Sequence, residues 1–153
     1  MLSKVVEVSA VVCAGLVSGA LLGDRVAASH ARARLDAGSF VTFMQIWHAH
    51  FVRFVGPLML TGLVAGGAWL LLAWPHGNGL ERALIAASIA GLVVVSGITA
   101  TVNVPINAQL MKWDVAAPPA DLAARWTPWE RAHTARALVA AAVLVLDAVA
   151  LGL

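Results

Sequence analysis

The sequence predicts an all-α fold: a four-transmembrane-helix bundle forming one integral membrane domain over residues 1–153, with a polar cavity on its cytoplasmic side. Three observations carry this reading. Of the 153 residues, 61% are hydrophobic and only 12% are charged, with a mean hydropathy of +0.86, whereas soluble domains carry about 25% charged residues. Four windows, residues 5–22, 54–74, 83–102 and 134–153, have the composition and approximate length of bilayer-crossing helices, which need about 20 mostly apolar residues. No basic stripe with interleaved aromatics exists to explain the pI near 9.3, so no nucleic-acid partner is expected.

The first window is read as a retained helix rather than a cleaved signal. Lys4 precedes it and Ser18-Gly19-Ala20 imitates a cleavage site, but Glu7 interrupts the early part and the run continues to Leu22. Gly15, Gly19 and Gly23 repeat at four-residue spacing, a small-residue stripe suited to close helix packing within the chain or to a homo-oligomer interface. Cys13 is the only cysteine and lies inside this window, so no intrachain disulfide is possible. Residues 24–39, rich in Ala and Arg, read as a short surface helix or irregular connector ended by a turn at Asp36-Ala37-Gly38-Ser39. A helix is expected from Phe40 with Ser39 as N-cap, so that residues 40–53 extend the second span, with a kink at Gly56-Pro57. On that extension Gln45 and His48 share one face, taken as inward. His50 and Arg53 share another, suited to lipid headgroups.

The third window ends in Thr101-Val102-Asn103-Val104-Pro105-Ile106-Asn107. Proline removes a helical N–H and frees the carbonyl one turn back, and unpaired amides in hydrocarbon cost several kcal/mol; such a cluster lines an internal cavity or binds something. Beyond it Pro118-Pro119 breaks any helix, after which Thr127 can cap and Pro128 can open the last one. Trp126, Trp129, His133 and Arg136 then recur at helical spacing on one face. That stripe is unlike a lipid-facing surface, although Arg136 can snorkel and each tryptophan of the chain, Trp69 and Trp74 included, can serve as a belt anchor.

Charge placement orients the bundle. With four spans, Lys4 and Arg82 are the only cations on one side, against Arg25, Arg32, Arg34, Arg53, Lys112, Arg125, Arg131 and Arg136 on the other. The positive-inside rule puts the two longer loops in the cytoplasm and both termini outside, in a bacterial inner (cell) membrane. Glu7 and Asp147 fall near the outer ends of their spans, where they form either a structural ion network with Lys4 or Arg82 or a proton-handling pair. On the cytoplasmic side, Asn103, Asn107, Gln45, His48, Trp126, Trp129, His133 and Arg136, with Thr99 further inside, are expected to line one cavity for a hydrophobic small molecule.

The Thr101–Asn107 string, followed by Trp126-x-x-Trp129-x-x-x-His133-x-x-Arg136, resembles the signature of the anthrone oxygenase-like family of small four-helix integral membrane proteins, many of which carry only a domain-of-unknown-function label. The resemblance spans essentially the whole chain and is most specific in its second half. It implies a four-helix bundle and, for the members with an assigned role, oxidation of an anthrone to an anthraquinone.

That chemistry needs a base, stabilisation of an enolate oxygen, aromatic walls and access for dioxygen. His133 or His48 can abstract the proton, Arg136, Asn103 and Asn107 can stabilise the oxyanion, and Trp126 and Trp129 can stack on the rings. The expected function is therefore a membrane-embedded, base-assisted monooxygenase acting on an anthrone-like aromatic. An enolate of this kind reacts with dioxygen without a cofactor. Two alternatives stay open. His48 and His133 can hold haem iron or, with other ligands, a metal in a membrane redox protein. The chain can also be a non-enzymatic module that binds a lipid, a hydrophobic ligand or a partner protein. Membrane lipids surround it in every case.

Overall fold

The computed structural model describes residues 2–153, and the described residues form four long helices with no strand. Here α1 is Leu2–Arg32, α2 is Ala37–Ala73, α3 is Gly79–Leu110 and α4 is Leu122–Leu151, and each is long and apolar enough to cross a membrane. The protein is an integral membrane protein by this measure. The α3/α4, α1/α2 and α1/α4 pairs pack most extensively and α2 also meets α3, so α1 and α4 are central to the bundle.

Small residues make these contacts possible. One core cluster gathers Ala10, Ala65, Ala73, Ile85 and Ala150 around Trp69, and another places Val17, Leu21 and Val95 against Ala137 and Ala140. Trp69 is 1% exposed and so belongs to the core, not to a headgroup belt. Trp74 is exposed and lies under the Arg82 guanidinium. Close approach depends on glycines other than those of the expected stripe. A Cβ on Gly91 would lie 2.5 Å from Val143 Cγ2, and one on Gly66 would lie 3.2 Å from Ile89 Cγ1. Gly15 meets only Leu144, at an ordinary 3.7 Å, and Gly19 and Gly23 face open space. Glycine spacing alone does not say which side of a helix will meet a neighbour.

The element boundaries also depart from the sequence reading. α1 does not stop at residue 23. It continues to Arg32 through a widened π-type turn over Asp24–Ala28, closed by the Ser29 N–H donating to the Asp24 carbonyl. The Arg25 carbonyl, which loses its regular amide partner there, accepts from the Ser29 hydroxyl instead. α2 begins at Ala37 with Asp36, rather than Ser39, as its N-cap; the Asp36 carboxylate accepts from Ser39 N–H at 3.0 Å and Ser39 Oγ at 2.6 Å. Those two bonds hold the Asp36 carboxyl below its usual range, because they favour the charged form. α4 begins at Leu122, before Thr127, whose hydroxyl bonds back to the Ala123 carbonyl, and Pro128 sits inside the helix on an exposed face where water can reach the carbonyl it frees.

Glu7 and Asp147 have separate surroundings. Glu7 pairs with Lys4 at 2.7 Å, and buried Asp147 faces Ser88 of α3. Arg82 donates to the Trp74 carbonyl.

Gly91→Ala is expected to lower the unfolding temperature in detergent, because overpacking against branched, stiff Val143 costs ~1–3 kcal/mol, more than the ~1 kcal/mol of helix propensity gained. Gly19→Ala, which meets nothing, is expected to leave it unchanged or raised. The two variants are compared by circular dichroism melts.

Candidate functional site

The polar residues of the sequence converge at the end of the bundle that carries the 33–36 and 111–121 connections, and backbone irregularity is what aligns them. In a regular helix, residues eight apart are roughly 80° out of phase. A π-type turn holds one extra residue, so across it eight residues behave roughly as seven, which is two full turns. In α1 this sets Asp24 and Arg32 on one face. α3 has a second such turn at Thr99–Asn103, closed by the Val104 N–H donating to the Thr99 carbonyl. Pro105 lies just beyond it and lacks the N–H that a tight turn would need. The turn brings Thr99 and Asn107 into the same alignment, with Asn103 beside them facing α4.

Ionic contacts tie α1 to α4. Arg32 grips Asp24 through two bonds, Nη1 to Oδ1 at 2.7 Å and Nη2 to Oδ2 at 3.1 Å, and Nη2 also donates to Glu130 Oε1 at 3.1 Å. Trp126 Nε1 donates to the same Glu130 oxygen at 3.0 Å. His133 is fully buried; its Nε2 lies 3.0 Å from Asp24 Oδ2 and 3.1 Å from the Leu21 carbonyl. Both neighbours are acceptors, so Nε2 carries the proton. Its Nδ1 receives Arg136 Nη2 at 2.9 Å and Nε at 3.2 Å, so Nδ1 carries the lone pair and His133 is neutral. Arg136 completes its fork on Thr99 Oγ1 at 3.2 Å. Two guanidinium groups and two carboxylates thus balance around an uncharged imidazole.

An aromatic column runs through the same place. Phe40 meets Trp126 edge-on at 5.3 Å, Trp126 stacks on Trp129 at 4.4 Å, and Trp129 stacks on His133 at 4.8 Å. The Arg32 and Arg136 guanidinium carbons lie 5.6 and 5.7 Å from the Trp129 ring centre, at cation–π range. Asn103 donates to the Trp129 carbonyl at 3.3 Å. Asn103 Oδ1, Asn107 Oδ1, Trp129 Nε1 and Arg32 Nε are buried without a protein partner, an unusual concentration of unpaired groups.

A cavity of about 860 Å3 opens beside this network, among α1, the start of α2, the 118–120 segment and the start of α4. Leu35, Phe40, Pro119, Leu122 and Trp126 give it apolar walls, and Arg25, Arg32, Glu130 and Arg131 add charge. Its volume suits a small-molecule site. His133, Arg136, Asn103, Asn107 and Thr99 stand behind its lining rather than in it.

The expected site residues therefore divide. Thr99, Asn103, Trp126, Trp129, His133 and Arg136 come together, and Asn107 is buried one turn beyond Asn103 on α3. Gln45 serves the fold, its Nε2 donating at 3.0 Å to the Leu110 carbonyl at the end of α3 and to the Trp113 carbonyl just beyond it. His48 is half-buried and has no hydrogen bond to His133 or Arg136. Both ring nitrogens of His133 are engaged, which leaves it none for haem iron. Among the described residues no three acidic, histidine or cysteine side chains gather as a metal site. Asp24, Arg32 and Glu130 were not anticipated. Glu130 follows Trp126 by four residues and precedes His133 by three, so it lay on the stripe already recognised. Asp24 and Arg32 had no such signal, because their spacing is helical only across an irregular turn.

The family model described as Anthrone oxygenase matches residues 43–146, which takes in most of α2, all of α3 and most of α4. The chain belongs to the anthrone oxygenase family. No curated protein and no solved structure matches it. The matched segment holds Glu130, His133 and Arg136, while Asp24 and Arg32, which complete the network in this family member, precede it.

Arg32→Met alone is expected to lower stability in detergent by about 3–5 kcal/mol, because it leaves Asp24 buried without its counter-charge. The double variant Asp24→Leu/Arg32→Met is expected to lose less than the single one, because it removes both charges. Chemical unfolding followed by tryptophan fluorescence measures the difference; a double variant at least as unstable as Arg32→Met would mean the pair is not coupled.

Proposed function

We propose that this protein is a membrane-embedded monooxygenase that holds a flat, apolar anthrone-like molecule in the 860 Å3 cavity and removes a proton from it for reaction with dioxygen. The observation that carries the reading is a carboxylate in an aromatic-walled cavity, Glu130, with one oxygen fixed by Arg32 and Trp126 and the other free of protein hydrogen bonds. His133, the base favoured from the sequence, gives this role to Glu130, because its only lone pair is occupied by Arg136. His133 and Arg136 become positioning residues: they hold Asp24, which holds Arg32, which holds Glu130.

In this mechanism Glu130 Oε2 takes a proton from the methylene carbon between the two aromatic rings. Trp126 and Phe40 confine the ring plane, and the positive charge of Arg25 and Arg131 on the cavity lining favours the enolate. The enolate gives electrons to dioxygen and forms a C–O bond. The resulting peroxide anion takes the proton back from Glu130, and the hydroperoxide then loses water together with the remaining hydrogen of that carbon, leaving a second carbonyl. One oxygen atom ends in the quinone and the other in water, so the balance closes with dioxygen as the only co-reactant.

The orientation follows the same reading. Arg32 and Arg136 are buried in the network, so they are set aside from the charge count. Arg25, Arg34, Arg53, Lys112, Arg125 and Arg131 still outnumber Lys4 and Arg82, which supports a cytoplasmic cavity end and outward termini.

The test is oxygen uptake by the detergent-purified protein with a panel of anthrones. Glu130→Gln is expected to lower kcat by 10²- to 10⁴-fold, the usual contribution of a general base, ~3–5 kcal/mol of barrier, while substrate binding stays within a few fold. Absence of uptake by the unmodified protein across the panel would favour a binding module instead.

A further inference from the structure

The geometry points to an anion subsite at Arg25, where the cavity takes an acidic oxygen group carried by its aromatic ligand. The inference rests on the proposed occupancy of the cavity by an aromatic molecule and narrows its class to aromatics bearing a carboxylate.

Arg25 differs from the other arginines of this end. Arg32 and Arg136 are consumed by the network, and Arg125 pairs with Asp121 at 2.6 Å. Arg25 is half-buried and lines the cavity, and its partners are hydroxyl groups: Nε donates to Thr134 Oγ1 at 2.8 Å and Nη1 to Ser29 Oγ at 3.0 Å. Its second terminal nitrogen makes no hydrogen bond in the protein. Among the described residues no carboxylate lies within ion-pairing distance of it. The two hydroxyls are themselves committed, Ser29 to the Arg25 carbonyl and Thr134 to the Glu130 carbonyl, so the guanidinium is held in one orientation by α1 and α4 together.

The remaining cavity charge does not neutralise it. Glu130 already accepts from Arg32, and Arg131 on the same lining adds a further cation without a carboxylate partner. A half-buried, pre-oriented guanidinium with an open donor edge matches a planar carboxylate, which it can engage through its fork geometry. The apolar walls nearby would take the ring system, so the site reads one ligand at two points.

Binding, not turnover, tests this. Anthracene-9-carboxylate and its neutral carboxamide are titrated, following anthracene fluorescence, into the protein in dodecyl maltoside free of anionic lipid. The carboxylate is expected to bind at least tenfold more tightly than the carboxamide. Arg25→Gln is expected to abolish that preference while carboxamide affinity stays within about twofold, which also shows that the variant is folded; Arg131→Gln, at an exposed position, is expected to weaken it less. Equal binding of the two probes to the unmodified protein, or a preference that survives in Arg25→Gln, overturns the subsite while leaving the aromatic cavity intact. Failure of both probes to bind overturns the cavity reading itself. The measurement is repeated in phosphatidylglycerol nanodiscs: a preference lost only there assigns Arg25 to a lipid phosphate and overturns the substrate subsite.

Discussion

Everything at the polar end of this bundle depends on charge neutrality in a place with little water. Arg32 and Arg136 face Asp24 and Glu130 around His133, and four of these five side chains are under 10% exposed. Isolated ions in such surroundings cost several kcal/mol each. The two guanidinium groups and two carboxylates are tolerable because every charge has an opposite within hydrogen-bond reach or one residue away. The imidazole must stay uncharged for this to hold. A proton on Nδ1 would turn the Arg136 contact into two donors facing each other and would leave one net positive charge enclosed.

The backbone is shaped to that requirement. Two π-type turns, at Asp24–Ala28 and Thr99–Asn103, lie on the two helices flanking α4. Each shifts the later part of its helix by about one residue, and each begins at a residue, Asp24 or Thr99, that bonds to the α4 stripe. The irregularity costs regular backbone hydrogen bonds, one of which Ser29 replaces with its hydroxyl. Such turns are frequent at functional sites, because they aim side chains where a straight helix cannot. The aromatic column of Trp126, Trp129 and His133 then joins the enclosed charges to the open cavity.

Much of this was legible in the sequence. Four apolar windows led to the bundle, and the Asn103, Trp126, Trp129, His133 and Arg136 set is brought together because regular helical spacing on α4 and a proline on α3 both announce themselves in the primary structure. The boundaries were less legible. An Ala- and Arg-rich stretch looks solvated, yet Asp24 and Arg32 are buried there as a mutual pair, and each conceals the other from composition-based reasoning. Gln45 looked like a site residue because it is polar in an apolar region; its function as a cap for α3 depends on tertiary contact at a distance of 65 residues. The glycine stripe of α1 carried no information about direction, and the glycines that the packing needs, Gly66 and Gly91, lack a repeating pattern.

The protonation state of His133 most directly tests whether the charge balance described here exists. Nitrogen NMR of protein labelled at the histidine ring nitrogens, assigned with His133→Gln, distinguishes a pyrrole-type from a pyridine-type nitrogen. One histidine is expected to hold a protonated Nε2 and a lone-pair Nδ1 at neutral pH. A doubly protonated His133 at neutral pH, or the opposite tautomer with the proton on Nδ1, would contradict it.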